Sequence, residues 1–579
     1  MKKVFIIMQN KHHKPVLRQL QDLGVLHVEH DKIPSGHGVQ KMQEERRKLE
    51  QVLAVLKPLK KEAEQKNLTE WHSHADGILR YVEEIEGIKD DMNKRQVAIS
   101  QWEKWGDFNP DDIRVLKQKG LFVKLCQIPV KQLNNVPKDI ILKTVFTAGG
   151  QARCVAVMDE NKDLPFDEVT PPQTGLAEMQ SIQLAEQDKI AELEAIIENE
   201  LCYLKAFETA LAKCEDILAF EEASVGMKHD EDLSVLKGFI PAEQSEVLEK
   251  TAKAEGWGIL IQDPDEDDEV PTLLKNSKVV NLSKPAMDMI EILPGYNEVD
   301  VSKVFIVFFT LFFGMLIGDA AYGLIFGGLT MFAHFKLKDK IKDKTAFHLL
   351  YLLTGFTVVW GVLTGTYFGQ QWLPDSISPV IPWLNDPENL QWLCFTIALV
   401  HLSVARVWAF TRRLPSLTAL AELGWLLIVW GMYFLANMFV LGREFPLFAK
   451  WFFIVGIALS FIFMFPFKEM AKKMPQQLIP FMLGIIGAGT DIISYVRLFA
   501  VGLATVAVAD AANSMPGADL PGGLNYFLFV FLHILNMVLA AMAILVHAIR
   551  LNVLEFSGHI GLEWAGLRYN PFKKKLKQV

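Results

Sequence analysis

The sequence predicts a mainly α-helical protein in two halves: a cytoplasmic arm of two α/β lobes joined by an antiparallel coiled coil, then a transmembrane domain of eight helices whose last two are long and tilted. Three observations lead there. Charges are dense and apolar runs short from Met1 to about Asn297, whereas apolar segments of spanning length follow one another from Phe305 to Phe556. Polar helices with apolar stripes flank a lobe-like pattern of strands. Loops rich in lysine and arginine alternate with loops that lack them.

In the first half, "KKVFIIM", "KPVLRQLQDLG" and "VLHVEH" read as strand, amphipathic helix and strand, with Gly24 ending the helix. "GLFVKLCQI", "ILKTVF" and "ARCVAVM" repeat a strand pattern, and "LSVLKGFIPAEQSEVLEKTAKAEGWGILIQ" closes the region. The expected lobes cover about 1–35 with 230–265, and 107–172, within an arm of 1–300. Between them, Ile78, Val82, Ile85, Ile88, Met92, Ile99 and Trp102 recur in steps of three, four and seven residues, as do Ile190, Leu193, Ile197, Leu201, Leu204 and Leu211. These stripes predict coiled-coil helices over about 38–106 and 175–225; a helix of ~35 residues would span about 50 Å.

Composition narrows the function. The net charge of −9 sits mainly in this half, notably in "QDPDEDDEV", which excludes a nucleic-acid partner. The N-terminal apolar run is too short for a signal peptide, so the arm is expected to stay cytoplasmic. Five cysteines lack CxxC spacing and fourteen histidines are dispersed, which predicts reduced thiols and no metal site. No GxxxxGK[ST] phosphate loop occurs, so no nucleotide cofactor or hydrolytic activity is expected of the chain itself.

In the second half, 301–579, apolar blocks run from Val304 to Phe332, Ala346 to Phe368, Leu390 to Phe410, Leu423 to Val440, Phe448 to Phe467, Leu478 to Ala512 and Leu524 to Phe556. The basic loops at 336–344, around Arg406 and "RRLPS", and at "KEMAKKMPQQ", together with the tail "KKKLK", belong on the cytoplasmic side. For 336–344 to share a side with residue 300, the first block must enter and return, which makes eight crossings. Its "GDAAYG" supplies the turn, and Asp319 there must be paired or hydrated.

The sixth block is about 35 residues long, more than the ~20 needed to cross, so it must be tilted or broken. Arg497 lies near its middle, roughly 25 Å along the helix from Pro480 and out of snorkelling range. A guanidinium at that depth costs about 2.5 to 3.5 kcal/mol and stays charged, so an interaction must offset it. Thr490, Ser494, Arg497, Val501, Ala504 and Val508 share one face, a cation among small residues that admit another helix. Asp491 lies about 240° around the helix from Arg497, so the partner is expected on another chain. In the last block His533, Asn536, His547 and Arg550 approximate one polar stripe, with Glu555 beyond; Arg550 and Glu555 fit either interface anchors or site residues, and His533 a headgroup contact.

The segments "SYVRLFAVGLA", "HAIRLNVLEF", "FFGMLIGDAAYG", "GYNEVD" and "LKGFIPAE" make the chain similar, nearly end to end, to the membrane subunit a of V-type ATPases, called subunit I in bacteria. The resemblance implies a non-catalytic stator subunit of a rotary ion-translocating ATPase, in a bacterial-type inner membrane with both termini cytoplasmic. Its implied partners are the proteolipid c-ring, the peripheral stalk subunits E and G, membrane lipid and, indirectly, the central-stalk and catalytic subunits. It implies that Arg497 is the essential stator arginine and Arg550 the second arginine, with Ser494, Asp491, His547, Glu555, Thr505 and Asp319 in support. Proton-pumping eukaryotic members carry a histidine eight residues after the first arginine and a glutamate ten before the second; this chain has Thr505 and Ala540 there. The competing expectation is a self-contained transporter or channel with a regulatory coiled coil, because intramembrane charge marks those classes too.

Overall fold

A computed structural model describes the chain except for residues 60–62, 136–139, 162–165, 231, 339–340, 342, 370–378, 466, 518–522 and 576–579. Two compact units emerge: Lys2–Gln262 with Pro571–Val579, and Asp263–Asn570 with Met1.

The first unit opens with β1 (Lys2–Gln9), α1 (His13–Leu23) and β2 (His27–Glu29). Gly24 caps α1 at φ 63°, a left-handed conformation that a side chain would strain. Helices α2 (His37–Leu56) and α3 (His72–Trp102) follow, then α4 (Pro110–Gln118), β3 (Phe122–Pro129), β4 (Ile141–Ala148), β5 (Gln151–Met158) and β6 (Asp167–Val169). The chain returns through α5 (Leu176–Asn199) and α6 (Leu204–Gly226) to β7 (Lys228–Asp230), β8 (Leu233–Ile240), α7 (Ser245–Glu255) and β9 (Gly258–Gln262).

One antiparallel sheet runs β2-β8-β1-β9, with β7 on β8; the other runs β4-β5-β3-β6. Strict alternation puts Ala152, Cys154, Ala156 and Met158 of β5 on the buried face. Helix α2 packs on α6 and α3 on α5, an antiparallel arrangement whose seam buries Leu49, Leu53, Ile78, Leu193, Ile197 and Phe207. The coiled-coil region expected over about 38–106 holds two helices, α2 and α3, and α2 stops at Leu56 because Pro58 has no N–H for the helical ladder. The other stripe is broken by a 3-10 turn at Glu200–Tyr203.

The second unit contains α8 (Lys284–Met289), α9 (Ser302–Ile317), α10 (Ala320–Leu337), α11 (Thr345–Thr364), α12 (Pro387–Arg413), α13 (Ala419–Leu441), α14 (Ala449–Ile462), α15 (Phe467–Ser494), α16 (Val496–Ser514), α17 (Leu524–Ala543) and α18 (Ser557–Ile560). Among the described residues five helices are long and apolar enough to cross a membrane: α11, α12, α13 and the runs Gln476–Gly517 and Leu524–Ile560. The pair α9 and α10, bent by 118°, makes up to six, and Ala449–Ile462 is apolar but shorter. The sequence led us to expect eight crossings; α9, α10 and α14 fall below the ~20 residues that span a bilayer unaided. Parts of the loops at 336–344, 370–389 and 510–523 lie outside the described residues, and with them part of the expected charge alternation.

The return expected at "GDAAYG" is a sharp bend rather than a full reversal. Gly318 ends α9 at φ 67°, and Asp319 starts α10 by accepting the N–H groups of Ala321 (2.8 Å) and Tyr322 (3.1 Å). The tail, expected as the end of the membrane domain, groups instead with the first unit: Phe572 joins the apolar core formed by Leu17, Leu20, Leu26 and Leu236. An aromatic side chain among basic residues has an apolar surface to bury, which charge counting overlooks.

Candidate functional site

The long apolar run that carries Arg497, Gln476–Gly517, is interrupted at one residue. Helices α15 and α16 are separated by Tyr495, where the N–H of Tyr495 bonds Ile492 O (3.2 Å) and the N–H of Leu498 bonds Tyr495 O (3.0 Å), a tighter turn than the α-helical one. Tyr495 is buried, its hydroxyl bonded to His401 Nδ1 (2.7 Å). Ile485, Ala488, Ile492, Leu498 and Phe499 face the core with it. Thr490 and Ala504 of the expected small-residue face are exposed, and Ser494, Arg497, Val501 and Val508 are partly so. Gly502 lets α9 approach: a Cβ there would lie 2.8 Å from Met315 O.

Arg497 finds its counter-ion within its own chain, contrary to the expectation of a partner elsewhere. Its Nη2 donates to Glu555 Oε1 (2.8 Å), its Nε to Ser494 O (3.0 Å), and Nη2 also reaches Ser494 Oγ. Ser494 Oγ donates to the same Glu555 oxygen (2.7 Å), and Arg550 Nε stands 3.4 Å from it. The Glu555 side chain is only 4% exposed, while Arg497 is 23% and Arg550 55% exposed. Two guanidiniums on one carboxylate leave the cluster a formal charge of +1, partly open to the outside. Among the described residues the buried Glu555 Oε2 has no hydrogen-bond partner.

Glu555 reaches Arg497 from another helix, 58 residues on in sequence, and the form of that last helix brings Arg550 to it as well. The helix is π-helical over Ile544–Ala548 and again over Leu551–Phe556. In an α-helix Arg550 and Glu555, five residues apart, would point about 140° away from each other. Bonding from i to i+5 stacks them instead, and such π segments gather at functional sites. A reading at 3.6 residues per turn could not find this pairing.

Asp491 is not bonded to the arginines. It accepts from His559 Nε2 (2.9 Å), while Arg406 Nε donates to His559 Nδ1 (3.0 Å), so the ring is neutral with its proton on Nε2. Arg406 and Arg413 both bind Glu422, at 2.9 and 2.7 Å. These groups line a recess of about 510 Å³. Sequence reasoning counted Arg406 only as a loop cation and passed over Glu422; the signal was a carboxylate and a guanidinium each placed in an otherwise apolar helix.

Beyond Arg497 along α16 lies an uncharged network. Asn536 Nδ2 donates to Thr505 O (2.8 Å) and Tyr322 Oη (3.1 Å), Tyr322 Oη bonds His533 Nδ1 (2.7 Å), and His533 Nε2 faces Asn513 Oδ1 (3.3 Å). Thr505 Oγ1 donates to Val501 O (3.0 Å), and Asp319 Oδ2 accepts the Gly369 N–H (3.3 Å) besides its cap bonds. The structure thus unites Ser494, Arg497, Arg550 and Glu555, sets Asp491 with His559, and puts Thr505 and Asp319 toward the Tyr322 network. The expected stripe from His533 to Arg550 is divided between two clusters, and the buried His547 Nδ1 has no hydrogen-bond partner among the described residues. Among the described residues no group of three or more His, Cys, Asp or Glu is placed to hold a metal ion.

No protein-family profile matches the chain. Curated relatives do. The V-type ATP synthase subunit I of Borreliella burgdorferi is 30% identical over 100% of this chain and 99% of its own length. Subunit I 1 of Treponema pallidum is 29% identical over 99% of both. A solved cytoplasmic N-terminal domain of subunit I, described as a homolog of subunit a of V-ATPase, matches 45% of this chain and 100% of its own at 14% identity and a TM-score of 0.22. A relative at that identity over the full length, together with helices able to span a membrane, makes this chain an integral membrane subunit of a rotary ATPase, a member of the V-type ATP synthase subunit I family.

Proposed function

We propose that the chain is the non-catalytic stator of its complex: it passes cations between two offset half-channels and the carboxylates of a proteolipid c-ring, and its arm binds peripheral stalk subunits E and G. In this reading the chain crosses a bacterial inner membrane eight times, α9 and α10 being short crossings, with both termini cytoplasmic.

The observation that carries the proposal is the Arg497, Glu555 and Arg550 cluster, cationic and partly open, with a recess before it and hydrogen-bonded polar side chains after it along the helix. The recess holding Asp491 lies about 9 Å before Arg497 along the helix, and Thr505, at the edge of the Tyr322 network, about 12 Å after it. A fixed guanidinium facing a passing ring carboxylate lowers that acid's pKa by about 1 to 3 units, which drives off a proton or competes with a bound sodium ion. Glu555 holds the guanidinium between encounters without neutralising the cluster. Positive charge between the half-channels also keeps cations from running straight from one to the other.

The test is Arg497→Ala in the purified, reconstituted complex. ATP-driven ion uptake should drop to the level of an uncoupled control while subunit composition is unchanged; uptake at the wild-type rate would remove the role assigned to this residue.

A further inference from the structure

In an unbroken α-helix the Leu498 N–H would bond Ser494 O; here it bonds Tyr495 O (3.0 Å), and Ser494 O receives Arg497 Nε instead (3.0 Å). The turn at Tyr495 thus supplies one of the bonds that hold the guanidinium toward Glu555. Tyr495 itself is fully buried, and its hydroxyl bonds His401 Nδ1 at 2.7 Å. His401, on α12 and likewise 0% exposed, stacks with Phe308 of α9 (ring centres 3.9 Å apart, planes at 21°) and with Phe556 (4.5 Å, 12°), so its ring lies between them. Tyr495 follows Ser494 and Phe556 follows Glu555, the two residues that bond Arg497. One imidazole therefore touches the chain beside both partners of the arginine. Packing alone does not call for an imidazole here. A phenylalanine would fill the same slot without burying polar atoms, and His401 Nε2 has no hydrogen-bond partner among the described residues.

We propose that His401 is a positioning residue for the stator arginine: through Tyr495 it fixes the turn that offers Ser494 O to Arg497, and through Phe556 it holds Glu555 opposite. The idea rests on the stator reading above. Apolar contacts have no direction, so the stack by itself would let the turn slide or rotate against α12. A hydrogen bond weakens steeply away from a near-linear geometry, so the one to His401 pins the outer end of the Tyr495 ring. The circuit closes at the other end, where Ser494 Oγ donates to Glu555 Oε1 (2.7 Å).

The test uses the intact complex, purified and reconstituted in vesicles, with Tyr495→Phe, His401→Phe, His401→Asn and the double variant Tyr495→Phe/His401→Phe. ATP-driven ion uptake is measured per assembled complex. His401→Phe keeps a ring in the stack but cannot bond Tyr495, whereas His401→Asn loses the ring but places an amide where Nδ1 was. Positioning predicts uptake about five- to tenfold slower in Tyr495→Phe and in His401→Phe. It also predicts no further loss in the double variant and a smaller loss in His401→Asn. A role in packing alone predicts the reverse order at His401, with the asparagine worse, and leaves Tyr495→Phe at the wild-type rate. Either of those results, or losses that multiply in the double variant, would overturn the proposal. Tyr495→Phe removes a single oxygen atom, so it decides the matter even if the His401 variants fail to assemble. Arg497→Ala, run alongside, separates the two ideas: no uptake there with wild-type uptake in Tyr495→Phe rejects the positioning role alone, whereas uptake by Arg497→Ala rejects the stator reading.

Discussion

The membrane unit contains the same small motif twice, one carboxylate between two arginines, and the two copies are finished differently. At Glu422, Arg406 also bonds His559, which bonds Asp491, so a second acid balances the second cation. Arg406 is 14% exposed and lies over the Trp425 ring, its centre 5.2 Å away. At Glu555 no second acid joins the two arginines among the described residues, and one carboxylate oxygen is left unbonded. Buried charge that is balanced and hydrogen-bonded holds helices together, whereas charge left in excess at an open edge is available to something that passes.

The largest effect that tests this contrast is Arg497→Ala, where transport should vanish while the loss of stability stays moderate, because the buried Glu555 keeps Ser494 and Arg550 as partners. Glu422→Gln should do the opposite. Leaving Arg406 buried without its anion costs about 3–5 kcal/mol, read as a lower unfolding temperature of the complex, while the assembled fraction still pumps. Loss of pumping without loss of stability would break the distinction between the copies. Glu555→Gln keeps the shape but weakens a charge-assisted bond, so uptake should slow by roughly tenfold with the complex intact, about 1.4 kcal/mol in barrier terms. Smallest is Asp491→Asn: the side chain is 33% exposed and the amide can still accept from His559, so stability should change by at most about 1 kcal/mol.

The arm and the membrane half differ in how far they could be read in advance. Periodicity located the apolar helices and the apolar stripes of the polar ones, because hydrophobic spacing is local and repeats many times within each element. The break after Leu56 has its cause in the sequence at Pro58, but where the chain resumes as α3 depends on packing against α5. In the site, the isolation of Arg497 in an apolar run was legible because a lone charge there has no local explanation.

By itself, then, the sequence determined that half the chain is built for lipid, that one deep guanidinium needs an anion, and that Asp491 is not that anion. Only the tertiary structure decided that the anion is Glu555, because the pairing joins two helices across 58 residues of sequence, and π-helical turns bring Arg550 to the same carboxylate. It alone decided that Phe572 leaves the membrane unit for the core of a lobe built from residues more than three hundred positions earlier. Both outcomes rest on contacts distant in sequence or on a departure from regular geometry, and neither leaves a mark in local spacing.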